Sequence, residues 1–232
     1  MIKINKLSYR YDDSEVLRDI SLSIAEGDYL AVIGANGSGK TTLIKHLNSL
    51  LLPTKGDVLV DDISTKKDSW EIRKKVGMVF QNPEDQLVSS IVEEDVAFGL
   101  ENLGVPSNEI KARVKEALKR LDIEHLAKKN VNMLSMGQKQ LVALAGVIVM
   151  KPKYIVFDEP TTMLDPHNKK NILSIINDLN KKEKITIILV TNILADLKNA
   201  KKIVALKDGK IIFCGNKSKL NSTILKKAGI YA

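Results

Sequence analysis

Gly34-Ala35-Asn36-Gly37-Ser38-Gly39-Lys40-Thr41, with Thr42 behind it, decides how this 232-residue chain is read. The stretch fits the pattern glycine, four residues, Gly-Lys-Ser/Thr. Gly34, Gly37 and Gly39 have no Cβ, so the backbone can take positive φ and approach a ligand closely. Successive N–H groups then curl inward into an anion-binding nest, which opens onto the positive end of the following helix. Lys40 adds a compact charge for β- and γ-phosphates, and the Thr41 hydroxyl suits coordination of Mg²⁺. The flanks fit as well. Residues 30–33 read as a buried strand ahead of the loop, and residues 42–47 as a helix after it. The pattern implies a nucleoside triphosphate site built from Asn36, Gly37, Ser38, Gly39, Lys40, Thr41 and Thr42.

Composition bounds the rest. Apolar residues make up 44% and charged residues 28%, ordinary for a soluble globular protein of one large or two closely joined domains. The longest apolar run, residues 141–150, falls well short of the ~20 residues that span a bilayer. Residues 1–6 alternate polar and apolar and lack the apolar core of a signal peptide. The single cysteine, Cys214, excludes an intrachain disulfide, fits a reducing compartment and is expected to pack on a strand. The expectation is a cytosolic chain. A net charge of +8 fits nucleic acid, an anionic membrane surface or a lysine-rich solvated exterior. The excess lies in scattered lysine pairs without the interleaved aromatics of a single-strand groove, so solvated faces are expected and no nucleic acid.

Residues 2–9 and 17–24 alternate as two strands. Between them lies Tyr9-Arg10-Tyr11-Asp12-Asp13, where a tyrosine can stack on a nucleobase or pack at a strand end; this segment leaves both open. Further strands are predicted over 57–60, 76–80, 154–157 and 185–190, and a hairpin joins 203–206 to 210–213 through Asp208-Gly209. A short helix over 69–75 is predicted with Ser69 as its cap. A longer one starts at a Ser107 cap and carries apolar residues at 110, 114, 117, 118 and 121. A closing helix is expected over 218–225. No strand pattern lies between Phe80 and Tyr154, so an all-helical insertion within an α/β domain is predicted.

Three further segments carry chemistry. Gln81-Asn82-Pro83-Glu84-Asp85-Gln86 is a polar loop where a strand stops, a common place for binding residues. Leu134-Ser135-Met136-Gly137-Gln138 opens a helix whose first N–H groups offer a second anion site. Tyr154-Ile155-Val156-Phe157-Asp158-Glu159 reads as a buried strand delivering two carboxylates to the sheet's edge. In a phosphate-loop protein the first acid holds Mg²⁺ and the second polarises the attacking water. Thr161 to Pro166 then leads into a helix over 167–180, with Pro166 suited to its first turn.

In this order the motifs resemble the nucleotide-binding subunit of ATP-binding cassette (ABC) transporters over essentially the whole chain. The phosphate loop, Gln81, the signature at 134–138, the acidic strand at 154–159 and the Asp loop at 164–165 carry the likeness. Residues 79–86 are similar to the energy-coupling-factor (ECF) type, which powers uptake of vitamins, cobalt or nickel. The resemblance implies an α/β phosphate-loop ATPase core with a mixed sheet, an N-terminal antiparallel β subdomain and an all-helical insertion. In that division residues 1–86 and 154–232 form the ATP-binding core and 87–153 the helical subdomain with the signature. It further implies ATP and Mg²⁺ as cofactors, an integral membrane transport subunit and a second ABC ATPase subunit as partners, and a place on the cytoplasmic face of the membrane. Two subunits sandwich ATP head to tail, so that each nucleotide meets one phosphate loop and Ser135, Gly137 and Gln138 of the other copy. Tyr11 stacks on adenine, and Gln81 reaches Mg²⁺ and the attacking water. Thr41 and Asp158 complete the metal site, Glu159 is the catalytic base and Asp165 couples the two sites.

Met136 stands where the signature usually has glycine, and Leu141 where arginine is common. Asn192 stands where the family has a histidine that contacts the γ-phosphate. An amide has no titratable proton and a shorter reach, so reduced turnover is expected of a site that relies on it. An asymmetric pair with a different ATPase is one expectation, and a slow homodimer the other. A repair or chromosome ATPase needs a long coiled coil between phosphate loop and signature, and no sustained heptad is present. Translation-factor relatives carry two cassettes per chain, whereas this chain has one.

Overall fold

The computed structural model describes residues 1–230. The chain opens with β1 (Ile2–Tyr11) and β2 (Ser14–Ile24), paired antiparallel across a tight turn at Asp12-Asp13. The turn is narrower than the sequence suggests, so both Tyr9 and Tyr11 stand on the strand itself. Next come β3 (Tyr29–Ile33), the phosphate loop and α1 (Lys40–Lys45), followed by β4 (Lys55–Val60) and β5 (Ile63–Ser64). Strands β2, β1, β4 and β5 form an antiparallel four-stranded sheet in that order.

The chain continues through α2 (Ser69–Lys75) and β6 (Val76–Val79), and then crosses α3 (Val92–Asn102), α4 (Ser107–Arg120) and α5 (Met136–Ile148) before β7 (Tyr154–Asp158). It closes with α6 (Pro166–Glu183), β8 (Thr186–Val190), β9 (Lys202–Lys207), β10 (Lys210–Asn216) and α7 (Ser222–Lys227). Six strands make the second sheet, in the order β10-β9-β3-β8-β7-β6. Only β10 runs antiparallel, so the sheet is mixed. The fold is therefore the α/β one expected, with a mixed sheet, an antiparallel β subdomain and helices inserted between β6 and β7.

Strands β3, β8, β7 and β6 are covered on both faces, which explains their apolar runs. Side chains alternate across a strand. Tyr29, Ala31 and Ile33 of β3 and Ile155 and Phe157 of β7 face a core shared with α3, α4, α5 and α6. Leu30, Val32, Tyr154 and Val156 face the other way, onto α1 and the antiparallel sheet through Ile4, Leu17, Ile24 and Val58. The sheet thus holds its C-terminal edge rigidly between two cores.

Local chemistry departs from the sequence reading at several points. Asp68, not Ser69, caps α2, accepting from the Glu71 N–H at 2.9 Å. A carboxylate is an equally good cap one residue earlier. Ser107 is the first helical residue of α4 behind Pro106 and makes no side-chain cap. Cys214 is exposed on the outer face of edge strand β10 and not packed. The closing helix is broken, with a 3₁₀ turn at Lys217–Lys219 and α7 starting anew behind an Asn221 cap. The hairpin turn forms as expected, Asp208 and Gly209 both taking positive φ (48° and 74°), the signature of a type I′ turn.

Candidate active site

The phosphate loop leaves β3 at Gly34 and wraps to Lys40, the first residue of α1. Gly34 has to be glycine because a Cβ there would stand 2.4 Å from the Leu206 carbonyl oxygen. Gly39 caps α1 at φ 99°, and a Cβ there would meet Leu17 Cδ2 at 2.8 Å. The curl is braced from outside. Ala35 N–H donates to the Ala228 carbonyl at 2.8 Å and Gly209 N–H to the Ser38 carbonyl at 3.2 Å. Gly209 and Ala228 lie far downstream, and no local signal marks them as supports of this loop.

Lys40 is nearly buried, and its Nζ donates to the carbonyls of Gly34 at 2.8 Å and Ala35 at 3.1 Å. It lies 3.8 Å from Oε1 of Glu159. Burial draws the Lys40 pKa below the ordinary lysine range, while the charges of Glu159 and Asp158 oppose that fall. Thr41 Oγ1 donates to Asp158 Oδ1 at 3.2 Å, bringing the loop's hydroxyl against the end of β7. Burial pushes the Asp158 carboxyl above its usual range; the Thr41 hydrogen bond works against this and the Glu159 charge adds to it. Two hard oxygen donors side by side under the loop are suited to a magnesium ion.

Glu159 follows in the left-handed region at φ 45°, its N–H donating to the Val190 carbonyl at 3.0 Å. Asn192, just past β8, donates from Nδ2 to Glu159 Oε1 at 3.1 Å and to Asn36 Oδ1 at 2.8 Å. These groups line one open cleft of about 680 Å³ together with Gly37, Gly39, Thr42 and Gln81. Val16, Thr162 and Ile193 also line it, and sequence reasoning did not mark them. Ser38 is buried within the loop.

The remaining candidates stand outside this cleft. Tyr11 is 44% exposed at the end of β1, its ring edge-to-face with Tyr9 at 4.8 Å. Tyr9 in turn meets the His46 ring at 4.7 Å, so Tyr11 has a braced aromatic foundation and a free face. Ser135 caps α5 in a capping box with Gln138, each side chain accepting from the other's backbone N–H (3.3 and 3.1 Å). Gly137 packs so closely on α6 that a Cβ would lie 2.7 Å from the Asn168 amide. Asp165 caps α6, accepting from the N–H groups of Asn168 at 3.1 Å and His167 at 2.9 Å. The Asn168 backbone and side-chain bonds, helped by that of His167, hold its pKa below the usual carboxylate range.

The Gln81 loop is pinned to the signature helix α5 through Gln86 and Glu84 of the polar loop and through Gln140 and Lys139 of the helix. Gln86 Oε1 accepts from Phe80 N–H at 3.0 Å and its Nε2 donates to the Ala143 carbonyl at 3.3 Å. Gln140 Nε2 donates to the Phe80 carbonyl at 3.2 Å, and Lys139 pairs with Glu84.

A phosphate loop facing paired carboxylates at a sheet's edge occurs in many nucleotide hydrolases; the capped signature helix narrows the choice. The ABC transporter family profile matches residues 17–162. The chain belongs to the ABC transporter family. This ABC cassette is 47% identical to the energy-coupling factor transporter ATP-binding protein EcfA1 of Caldanaerobacter subterraneus subsp. tengcongensis, covering 99% of this chain and 86% of the relative. Among solved structures it resembles cbiO1 of Clostridium perfringens, described as part of the ABC transporter complex cbiONQ. There the TM-score is 0.83 and the identity 39%, with 93% of this chain and 88% of the other covered. It also resembles the dimeric ATP-binding cassette MJ0796 in a post-hydrolysis state with ADP and Pi, at TM-score 0.84 and 29% identity, covering 93% and 98%.

Proposed function

We propose that this cassette binds and hydrolyses ATP to drive a membrane importer of the energy-coupling-factor type, taking up a vitamin or a metal ion. The observation that carries the chemistry is the convergence of Lys40, Thr41, Asp158 and Glu159 around one phosphate-binding turn. The loop and Lys40 hold the β- and γ-phosphates, and Thr41, Asp158 and Gln81 hold Mg²⁺, which supplies charge neutralisation on the phosphates. Glu159 orients and deprotonates the attacking water. Tyr11 stacks on the adenine.

Ser135, Gly137 and Gln138 point to a second copy of the fold, because they lie outside the cleft whose nucleotide they serve. The free N–H groups at the start of α5 then meet the γ-phosphate of the partner subunit's nucleotide, and Asp165 couples the two sites through α6. Closure of the dimer by ATP and reopening after hydrolysis supply the stroke. Residues 87–153 act as the lever, since the hydrogen bonds from Gln86 and Gln140 make the Gln81 loop and α5 one unit. A groove of about 300 Å³ beside that loop, lined by Leu50, Phe80, Val88, Phe98 and Met150, supports contact with an integral membrane subunit. No helix among the described residues is long and apolar enough to cross a membrane. The likeness to cbiO1, described as part of the ABC transporter complex cbiONQ, supports a peripheral place on the cytoplasmic face beside an integral subunit.

Asn192 favours a pair with a different ATPase, in which this chain supplies the slower site. Co-expression with candidate membrane subunits, followed by affinity capture from detergent, tests the assembly. Recovery of the cassette with a membrane subunit and a second, different cassette supports the reading. Recovery as a soluble dimer that hydrolyses ATP without any membrane subunit counts against it.

A further inference from the structure

The carboxylate of Asp196 lies outside the cleft and has no role in the chemistry above, yet it is only 3% exposed. It sits in a 3₁₀ turn, Leu194–Asn199, that follows β8. Its Oδ2 accepts from Thr161 Oγ1 at 2.6 Å and from Thr191 Oγ1 at 3.0 Å. Both hydroxyls are buried. Among the described residues no cation pairs with Asp196.

A buried carboxylate is costly unless hydrogen-bonded, and filling the same space with an apolar side chain is the cheaper way to build a core. Core packing alone therefore does not call for an acid here. What the acid does is join two strand ends. Thr161 stands two residues after Glu159, and Thr191 stands next to Asn192. Thr191 Oγ1 also accepts from Ile193 N–H at 3.0 Å, so its lone pair fixes the Asn192 turn while its proton is committed to Asp196.

The Glu159 side benefits equally. Glu159 holds φ 45°, a left-handed conformation that a non-glycine residue keeps only when its surroundings over-determine it. Thr162 N–H donates to the Glu159 carbonyl at 3.2 Å and Leu164 N–H to the Thr161 carbonyl at 3.2 Å, closing a turn whose one buried side-chain anchor is Thr161 on Asp196.

We infer that Asp196 is a positioning residue for ATP hydrolysis, splinting the turn that carries Glu159 to the turn that carries Asn192. The inference rests on the reading of Glu159 as the catalytic base. The clamp acts on the hydrolytic side of the cleft and reaches the phosphate loop only through the Asn192–Asn36 bond. The loop's Lys40 bonds and its Gly209 and Ala228 braces do not depend on it. A displacement of about 1 Å in a reacting group can cost ~10²-fold in rate.

The test is steady-state ATP hydrolysis and nucleotide binding by the full chain carrying Asp196→Ala, Thr191→Val or Thr191→Ser, with Glu159→Gln alongside. Asp196→Ala is expected to lower kcat at least tenfold while KM for ATP stays within about threefold. Thr191→Val is expected to do likewise and Thr191→Ser to restore the rate, since serine keeps the hydroxyl. In an Asn192→Ala background Thr191→Val is expected to cost little more, because its effect runs through Asn192; a merely structural threonine costs the same in both backgrounds. If Asp196→Ala does not fold, the Thr191 pair and its Asn192→Ala background carry the test. Wild-type kcat in Asp196→Ala or Thr191→Val, with Glu159→Gln inactive, overturns the positioning role alone. Activity surviving Glu159→Gln overturns the base on which it rests.

Discussion

Asn192 donates its amide to the carboxylate of Glu159 at 3.1 Å, with the same Nδ2 held by Asn36 Oδ1 at 2.8 Å. The asparagine is therefore anchored on the phosphate loop and on the acid together. It holds Glu159 as a neutral donor, with no ionisable proton of its own to place on a developing phosphate charge. Asn192→His is expected to raise kcat several-fold in single-turnover hydrolysis, and Asn192→Ala to lower it. An unchanged rate in Asn192→His shows that the asparagine is competent and removes the argument for an unequal pair.

Gly39 carries two constraints at once: its φ is 99°, and a Cβ added there would stand 2.8 Å from Leu17 Cδ2. Gly39→Ala is expected to destabilise the fold by about 1–3 kcal/mol and to weaken nucleotide binding more than tenfold by opening the nest. Denaturant unfolding and titration with a fluorescent ATP analogue read the two effects separately. Lys40→Met provides the contrast: it leaves the glycine conformations in place and removes the charge with the Nζ bonds to the Gly34 and Ala35 carbonyls. Binding is expected to fall with a smaller loss of stability than in Gly39→Ala.

His46 ties stability to pH. It is fully buried, its Nδ1 is 2.7 Å from the Thr42 carbonyl, and burial draws its pKa below the ordinary 6.5 while the Thr42 bond opposes this. The unfolded chain then takes up a proton at a pH where the folded chain does not. Stability from this site is full above about pH 6.5 and is lost as pH falls below that value. The unfolding midpoint is expected to drop between pH 7.5 and 5.5, and to drop less in His46→Gln, itself less stable at pH 7.5. An equal pH dependence in the two proteins refutes the assignment.

Gly137 and Asp165 are linked through Asn168, whose amide would stand 2.7 Å from a Cβ added at Gly137 and donates to Asp165 Oδ2 at 2.5 Å. Gly137→Ala is expected to displace Asn168 and so disturb both surfaces proposed for the partner subunit. Its monomer stability should change little, while ATP-dependent dimerisation, read by light scattering in a Glu159→Gln background, weakens strongly. Undiminished dimerisation argues against a Gly137 contact across the interface.

How much of this was legible in the chain follows from the range of each interaction. The loop, its strand and the acidic strand were legible because each is a contiguous run whose chemistry is local, as with Gly34 to Thr41 and Tyr154 to Glu159. The buried strands β7 and β8 were legible from the apolar runs Tyr154 to Phe157 and Ile187 to Val190. The cap of α2 was misplaced by one residue because two good cappers, Asp68 and Ser69, stand side by side, and α4 starts behind Pro106 with no side-chain cap at all. The long-range bonds had no signal at all: Gly209 on Ser38, Ala228 on Ala35, Gln140 on Phe80 and Asp196 on Thr161 join segments far apart in sequence. Cys214 was expected inside because cysteines usually are, but alternation on an edge strand turned it outward.

The most direct measurement is ATP hydrolysis by the purified chain beside Glu159→Gln, with nucleotide binding measured on both. Retained binding with kcat lowered at least 10²-fold is the predicted result. Undiminished hydrolysis by Glu159→Gln contradicts the account at its centre, because the neighbouring carboxylate, Asp158, is engaged by the Thr41 hydroxyl and assigned to the metal.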